Sequence, residues 1–304
     1  MLRTVPPLDA LELFLLSIRR GSISAAAREA GVSQQAASAR VRTVERQAGL
    51  ELIVRSATGV TPTPAGEVVA AWAERILDAA RSFQDGLDAL RGDGSLSLRV
   101  AASQTVAAHY LPGWLLRLRR AQLEQGRTPT ATELVTDNSA GVVALVRDGA
   151  VDLGFIEARS RPDGLSRAVV ADDELVLVVS PQHPWAHRDD IGFDEVADTP
   201  LVTREEGSGT RATWEDESIR VLGRPPAPPA LVLSTSTAVR SAVVDGVAPA
   251  LLSRAVVADD VALGRLIVVR TAWRPIRRPL TALWRGDSDR FRAPARELLE
   301  IISA

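Results

Sequence analysis

The sequence predicts an α/β protein made of an N-terminal winged helix-turn-helix, a long linker helix and a C-terminal α/β region of two lobes. Three observations carry that prediction. Short helical segments punctuated by glycine fill the first fifty residues, an unbroken helical periodicity runs from about Pro62–Glu67 to Arg91, and strand-like and helix-like segments then alternate to the C-terminus. A chain of 304 residues also exceeds one ordinary compact core and suits a small module joined to a larger one.

After Pro6 and Pro7, the apolar residues Leu8, Leu11, Leu15 and Ile18 fall at helical spacing, and Gly21 stops the helix. Ser22 or Ser24 caps a second short helix, Ser24–Ala30, because a hydroxyl oxygen accepts from first-turn amides that have no partner within the helix. Gly31 ends it, and Ser33 caps a third helix through Ala48 with Ala37, Val41 and Val44 facing inward and Arg40, Arg42 and Arg46 outward. Helix, tight turn and Arg-bearing helix form the outline of a helix-turn-helix.

Residues 49–61, GLELIVRSATGVT, are rich in β formers around a bend and predict a two-stranded wing. In the long helix that follows, Val69, Trp72, Ile76, Ala79, Phe83, Leu87 and Leu90 step by three or four, which suits either a partner helix or packing on its own module. RGDGS at 91–95 is a linker by composition. The expected divisions are therefore 1–66, 67–93 and 94–304.

From residue 97 the order is LSLRVAAS, a helix over Leu111–Leu123, TELVTDN, a helix over Ser139–Asp148, and VDLGFIE. ELVLVVS, PLVTRE, a helix from Ser208, ALVLST, a helix from Thr237 and APALLS follow; RLIVV, LTALW and a last helix over Ala293–Ile302 close the chain. Such alternation predicts βαβ units and a largely parallel sheet. We divide it into lobe I, 94–160 with 269–304, and lobe II, 166–268, the final helix returning to lobe I.

Composition narrows the chemistry. With 46% hydrophobic and 24% charged residues the chain reads as globular, and no apolar run approaches the roughly 18 residues that span a bilayer, so no membrane partner is expected. Asp9 and Glu12 interrupt the first apolar stretch, which predicts a cytoplasmic protein without a secretory leader. The absence of cysteine removes disulfides, thiolate nucleophiles and Cys-ligated zinc. The net charge of -2 is uneven: residues 1–66 hold eight Arg against five acids, near +3, which leaves the remainder near -5. Double-stranded DNA fits the first part and not the second.

The segment GSISAAAREAGVSQQAASARVRTVERQAGLELIVRSATGVTPTPAG, 21–66, resembles the signature of LysR-type transcriptional regulators. The likeness couples the AA-x-x-x-x-VSQ core, Glu45, the wing residues Gly49, Leu52 and Arg55, and the TPAG that opens the linker helix. It continues in NS-x-x-VVALVRDGAVDLGFIE, SPQHPWA and REEGSGTR, which resemble that family's periplasmic-binding-protein-like sensor domain. The resemblance implies a regulator that binds DNA as a homodimer or homotetramer and responds to a small-molecule effector. Where the family usually has Pro, Val, a basic residue and Phe, this chain has Gln35, Ala37, Ala39 and Ile53.

A recognition helix sets its first turn against base edges while flanking groups hold phosphates. Ser33, Gln34, Gln35 and Ser38 occupy the reading positions, with Arg40, Arg42 and the wing's Arg55 as flanking contacts. Gln bonds adenine in bidentate fashion, and Gln35 adds a donor and an acceptor that Pro lacks. The bland alternatives are a cap for Ser33 and plain solvation for the others.

In the sensor, ligands of α/β lobes sit off the carboxyl ends of strands, where helix N-termini present unpaired amides to anions. Ser103, Gln104 and Thr105 follow one strand, Asn138 and Ser139 a second, and Thr203 with Ser208 and Thr210 of GSGT a third, which suits a small anion; helix capping would use the same residues. Arg204 and Arg211 could neutralise the anion or lie on the surface. His183 and His187 have a metal-like spacing that Pro184 breaks, so no metal and no cofactor are expected. No catalytic constellation is visible. An enzyme with a clamping cleft and a constitutive architectural DNA binder are the competing readings. The first lacks a reactive side chain, and the second has no use for about 200 residues of sensor.

Overall fold

The computed structural model describes residues 5–56, 59–91, 97–157, 162–286 and 293–303. Two compact units divide the chain, Met1–Gly94 and Ser95–Ala304.

The first unit runs α1 (Leu8–Arg19), α2 (Ile23–Glu29), α3 (Gln34–Ala48), β1 (Ile53–Ser56), β2 (Gly59–Pro62) and α4 (Pro64–Arg91). Sequence marks both ends of α2 and α3 here. Ser22 accepts from the Ala25 amide and Ser33 from the Ala36 amide, while Gly49 closes α3 at φ 66, a backbone region that costs glycine little. Ser22 is thus the cap of α2, and Ser24 lies inside the helix. Leu11, Phe14, Ala26, Ala37, Val41, Val44 and Leu52 form the buried centre. The wing pairs antiparallel, Ile53 opposite Pro62 and Ser56 opposite Gly59. It is held from three sides. Glu45 accepts from the Leu52 and Ile53 amides at 3.1 and 3.3 Å, the Val60 amide donates to the Gly21 carbonyl at 2.8 Å, and the Thr63 hydroxyl donates to the Glu51 carbonyl at 2.9 Å. Gly66 permits the last approach: a Cβ there would stand 2.0 Å from the Leu52 carbonyl oxygen.

Helix α4 divides the apolar stripe read from the sequence. Val69 and Ile76 pack on the unit's own core, whereas Trp72, Ala79 and Phe83 are exposed. The side chain of Leu90 lies outside the described residues.

The second unit runs β3 (Ser97–Ser103), a π-helical turn (Val106–Tyr110), α5 (Leu111–Glu124), β4 (Ala131–Asp137), α6 (Ser139–Arg147), β5 (Leu153–Glu157), β6 (Ser166–Val179) and a short 3-10 turn (Pro184–His187). It continues with α7 (Phe193–Asp198), β7 (Val202–Arg204), α8 (Gly209–Leu222), β8 (Leu231–Leu233), α9 (Ser236–Val244), β9 (Ala250–Ser253), α10 (Arg254–Ala262), β10 (Ile267–Val268), β11 (Ile276–Trp284) and α11 (Ala293–Ser303).

Among the described residues, the order β10-β6-β11-β5-β3-β4, with β9 also against β6, makes one seven-stranded sheet, and β7 and β8 form a separate parallel pair. The sheet is mixed, not largely parallel. β3 runs parallel to β4 and β5, but β11 is antiparallel to β5 and β6, and β6 is antiparallel to β9 and β10.

The reason is two long strands that pass through both lobes. Ala168, Val170 and Ala171 of β6, with Leu280, Ala282 and Trp284 of β11, pack on Trp114, Phe155 and the α11 residue Leu298. Leu175, Leu177 and Val179, with Ile276, pack instead on Trp185 and Trp214. The reading that gave β6 wholly to lobe II and 269–304 wholly to lobe I therefore differs from the packing. At 14 residues β6 is more than twice an ordinary strand, and alternation along it does not say where the neighbours change.

Candidate functional site

In the first unit, Gln34 and Gln35 stand exposed on the first turn of α3, and Ser38 is half-buried one turn later. Arg42 and the β1 residue Arg55 are exposed. Among the described residues no hydrogen bond or ion pair engages the side chains of Gln34, Gln35, Ser38, Arg42 or Arg55. Two members of the set are already committed. Ser33 caps α3, and Arg40 lies 2.8 Å from Asp9, so that guanidinium must exchange a carboxylate for any phosphate it meets.

In the second unit, Ser103 ends β3 and Asn138 caps α6, so both lie at the carboxyl edge of the sheet. The α8 N-terminus comes close to the same edge. A Cβ on Gly209 would stand 1.8 Å from the Glu157 carbonyl oxygen and 2.7 Å from Ser139 Oγ, and only glycine lets the helix start that near β5. Ser208 makes no side-chain cap, and the amides of Gly209, Thr210 and Arg211 find no acceptor among the described residues. Ser103 Oγ, Ser139 Oγ and Thr203 Oγ1 are buried hydroxyls without a partner. Hydroxyls in such places are normally bonded, so each is a vacant donor.

Other residues read from the sequence are already engaged, and two of them, Gln104 and Asn138, join the lobes. Gln104 donates from Nε2 to the Ser234 carbonyl at 2.9 Å and accepts the Ser236 amide on Oε1 at 2.8 Å, tying β3 to the start of α9. Asn138 donates to Glu205 Oε1 at 3.2 Å while its own oxygen caps α6. Thr105 is held through its amide, which donates to Glu157 Oε1 at 3.0 Å, and Thr210 Oγ1 accepts from Arg278 at 2.9 Å. Arg204 is buried and bonded to both oxygens of Glu205 at 2.7 and 2.8 Å, with a third bond to Ser236 Oγ. Burial, the largest single influence, pushes the Glu205 pKa upward, but the hydrogen bonds and charge of Arg204, a backbone hydrogen bond and the Asn138 amide together outweigh it and hold the carboxyl below its ordinary value. Arg211 pairs with Glu215 along α8.

Sequence reasoning missed the cluster behind these residues. Arg278 on β11 is fully buried and stands opposite Asp173 on β6. Its Nε donates to Asp173 Oδ2 at 2.8 Å, and Nη2 lies 2.7 Å from the same oxygen but out of line for a hydrogen bond. Asp173 Oδ1 accepts from Ser253 and from Tyr110. Burial, then the Asp173 charge, pushes the Tyr110 hydroxyl up to about 12. A signal existed: Arg278 shares strand parity with Ile276 and Leu280, and Asp173 with Leu175 and Leu177, so both acid and base sit at inward positions.

His183 accepts the Trp185 amide on Nδ1 and stacks edge-on against that ring, and burial lowers its pKa. The described residues contain no cluster of three His, Asp or Glu side chains placed to hold a metal. None of their helices is long and apolar enough to cross a membrane.

Residues 8–67 match the family profile described as "Bacterial regulatory helix-turn-helix protein, lysR family", and residues 91–304 match "LysR substrate binding domain". An uncharacterised HTH-type transcriptional regulator of Mycobacterium tuberculosis is 44% identical over 99% of this chain and 97% of its own length. Two solved structures share the fold. A full-length OxyR from Pseudomonas aeruginosa has TM-score 0.67 and 22% identity, covering 98% of this chain and 95% of that one. ArgP from Mycobacterium tuberculosis has TM-score 0.67 and 17% identity, covering 99% and 98%.

Proposed function

Because the chain belongs to the LysR family of bacterial transcriptional regulators, which are not enzymes, we propose that its first unit reads an operator and its sensor takes a small anionic effector between the two lobes. The working divisions are 1–66 for DNA binding, 67–93 for the linker helix and 94–304 for effector binding, in a cytoplasmic homodimer or homotetramer. Gln34 and Gln35 address base edges, assisted by Ser33 and Ser38, and Arg40, Arg42 and Arg55 address phosphates. Exposed Trp72 and Phe83 on α4 supply an apolar seam for a second copy. A two-fold dimer presents paired recognition helices, so the operator is an interrupted palindrome.

One observation carries the effector half of this reading: three partnerless buried hydroxyls, Ser103, Ser139 and Thr203, in the lobes that bring the uncapped start of α8 beside Ser139. Hydroxyls and open helix amides are donors, and donors without acceptors call for an anion. Gln104, Thr105, Asn138, Ser208 and Thr210 position that set. An effector that prefers one lobe arrangement biases the DNA-binding state by a coupling of roughly 1–3 kcal/mol, which predicts a graded response.

Footprinting upstream of the protein's own gene, with a metabolite panel, tests both halves. Gln34→Ala is expected to cost about 1–3 kcal/mol on the operator and to relax one base position. Equal loss on operator and random DNA would remove Gln34 from base reading. Thr203→Val, nearly constant in volume, is expected to weaken the effector response and spare unliganded operator binding. If Thr203→Val and Ser103→Ala both leave the response intact, the effector sits elsewhere.

A further inference from the structure

Glu45 belongs to the sequence signature of the first unit, yet it is not among the residues assigned to bases or phosphates. An acid on the recognition helix repels phosphates, so its presence there calls for another role. Gln34, Ser38 and Glu45 follow at steps of four and seven, one stripe of α3, and the half-buried Glu45 ends that stripe against the wing. Its Oε1 accepts both the Leu52 and the Ile53 amides, at 3.1 and 3.3 Å.

The wing needs outside support. β1 and β2 form a sheet of two strands only, and an isolated hairpin of that kind is marginal in water, so its direction is set by what it is tied to. Two ties flank Arg55. One is Glu45, which grips the strand at Ile53, two residues before Arg55. The other lies across the ladder: Arg55 pairs with Val60, and the Val60 amide donates to the Gly21 carbonyl at 2.8 Å. Gly59 lets β2 come that close to the turn between α1 and α2, since a Cβ there would stand 2.4 Å from the same carbonyl oxygen. The third anchor, from Thr63 to the Glu51 carbonyl, holds the base of the wing and not the Arg55 end.

Resting on the phosphate role proposed above for Arg55, we infer that Glu45 is a positioning residue: with the Gly21–Gly59 contact it locks Arg55 in register with the reading turn of α3, so that wing and recognition helix meet the duplex as one body. The carboxylate acts through Arg55 and not by touching DNA. A contact already held in place loses less freedom on binding than one on a loose arm, and that difference is the affinity Glu45 supplies.

The test measures duplex binding by the full-length protein over about 50–200 mM salt, on the region upstream of its own gene and on a scrambled duplex of equal length. Glu45→Gln and Glu45→Met carry the same charge and similar bulk, but only Gln offers an oxygen to the two amides. Glu45→Met is expected to bind both duplexes more weakly than Glu45→Gln by about threefold or more, with a salt slope smaller by up to about 0.9, the share of one phosphate. A purely structural role would lower the melting temperature and leave that slope alone. Combined with Arg55→Ala, the two variants are expected to agree within about 1.5-fold, because the contact they differ in holding is gone. Gly59→Ala crowds the Gly21 carbonyl from the other strand without touching Glu45, and is expected to reproduce both the loss and its disappearance with Arg55→Ala. Melting followed by circular dichroism shows which variants are folded, and Gly59→Ala decides alone if Glu45→Met is not. The inference is overturned if Glu45→Gln and Glu45→Met bind alike, if their difference persists in full without Arg55, or if Gly59→Ala binds like the parent protein. The phosphate role of Arg55 fails separately, if Arg55→Ala leaves affinity and salt slope unchanged, and this inference falls with it.

Discussion

The two units treat polar side chains in opposite ways. In the first, the only buried polar side chain among the described residues is Ser17, whose hydroxyl bonds the Leu13 carbonyl at 2.6 Å within its own helix. In the second, Glu157, Asp173, Arg204, Glu217, Asp260 and Arg278 are charged and buried. On the proposed function, the difference follows the size of what each unit addresses. A DNA duplex cannot be enclosed, so the groups that read it stand on the surface, and the module beneath is free to be apolar and tightly packed. A metabolite gains specificity from enclosure, so its readers are withdrawn from water and must be paired with one another or left waiting for the ligand.

The sharpest way to break this comparison is at Arg278. Replacing it by Met leaves Asp173 charged in a dry position and should destabilise the sensor by about 3–5 kcal/mol, read by urea denaturation. Adding Asp173→Leu should recover most of that loss, because an apolar pair of similar size needs no desolvation. A double variant as weak as the single would mean that the pair supports the sensor's stability directly.

Next in size is Glu45→Ala. It leaves the Leu52 and Ile53 amides without their acceptor and should cost about 1–3 kcal/mol in the first unit, with the sensor's transition unmoved. Ser33→Ala should cost about 1 kcal/mol through the lost cap, and comparison of operator with random DNA separates that from base reading.

The smallest effect concerns Tyr110, raised from 10.0 to about 12 by burial and by the Asp173 charge. The folded protein keeps that proton where the unfolded chain has released it. The stabilisation is therefore complete below the unfolded value and is lost as pH rises through the folded one. Stability should fall across that alkaline window, and Tyr110→Phe should flatten the fall. An unchanged slope in the variant would show that Tyr110 is not its source.

What the sequence determined by itself was local. The glycines that end α1, α2 and α3, the Ser33 cap and the turn into α4 each depend on a few neighbouring residues, so the winged helix-turn-helix could be read almost residue by residue. The hydroxyls of Ser103 at the end of β3 and Thr203 within β7 were legible for the same reason, since strand and helix periodicity fixes where one element gives way to the next.

Tertiary structure alone decided which of those hydroxyls lack partners and which polar residues are joiners. It made Gln104 a tie to α9 and Asn138 a tie to Glu205, and it committed Arg204 to a carboxylate. It also brought Asp173 to Arg278 across 105 residues, and set α8 against β5 at Gly209. Periodicity reports which face of an element turns inward and not what waits there. A partnerless buried hydroxyl such as that of Ser139 becomes visible only when every possible partner has a position, because burial and pairing are properties of the assembled neighbourhood and not of any segment.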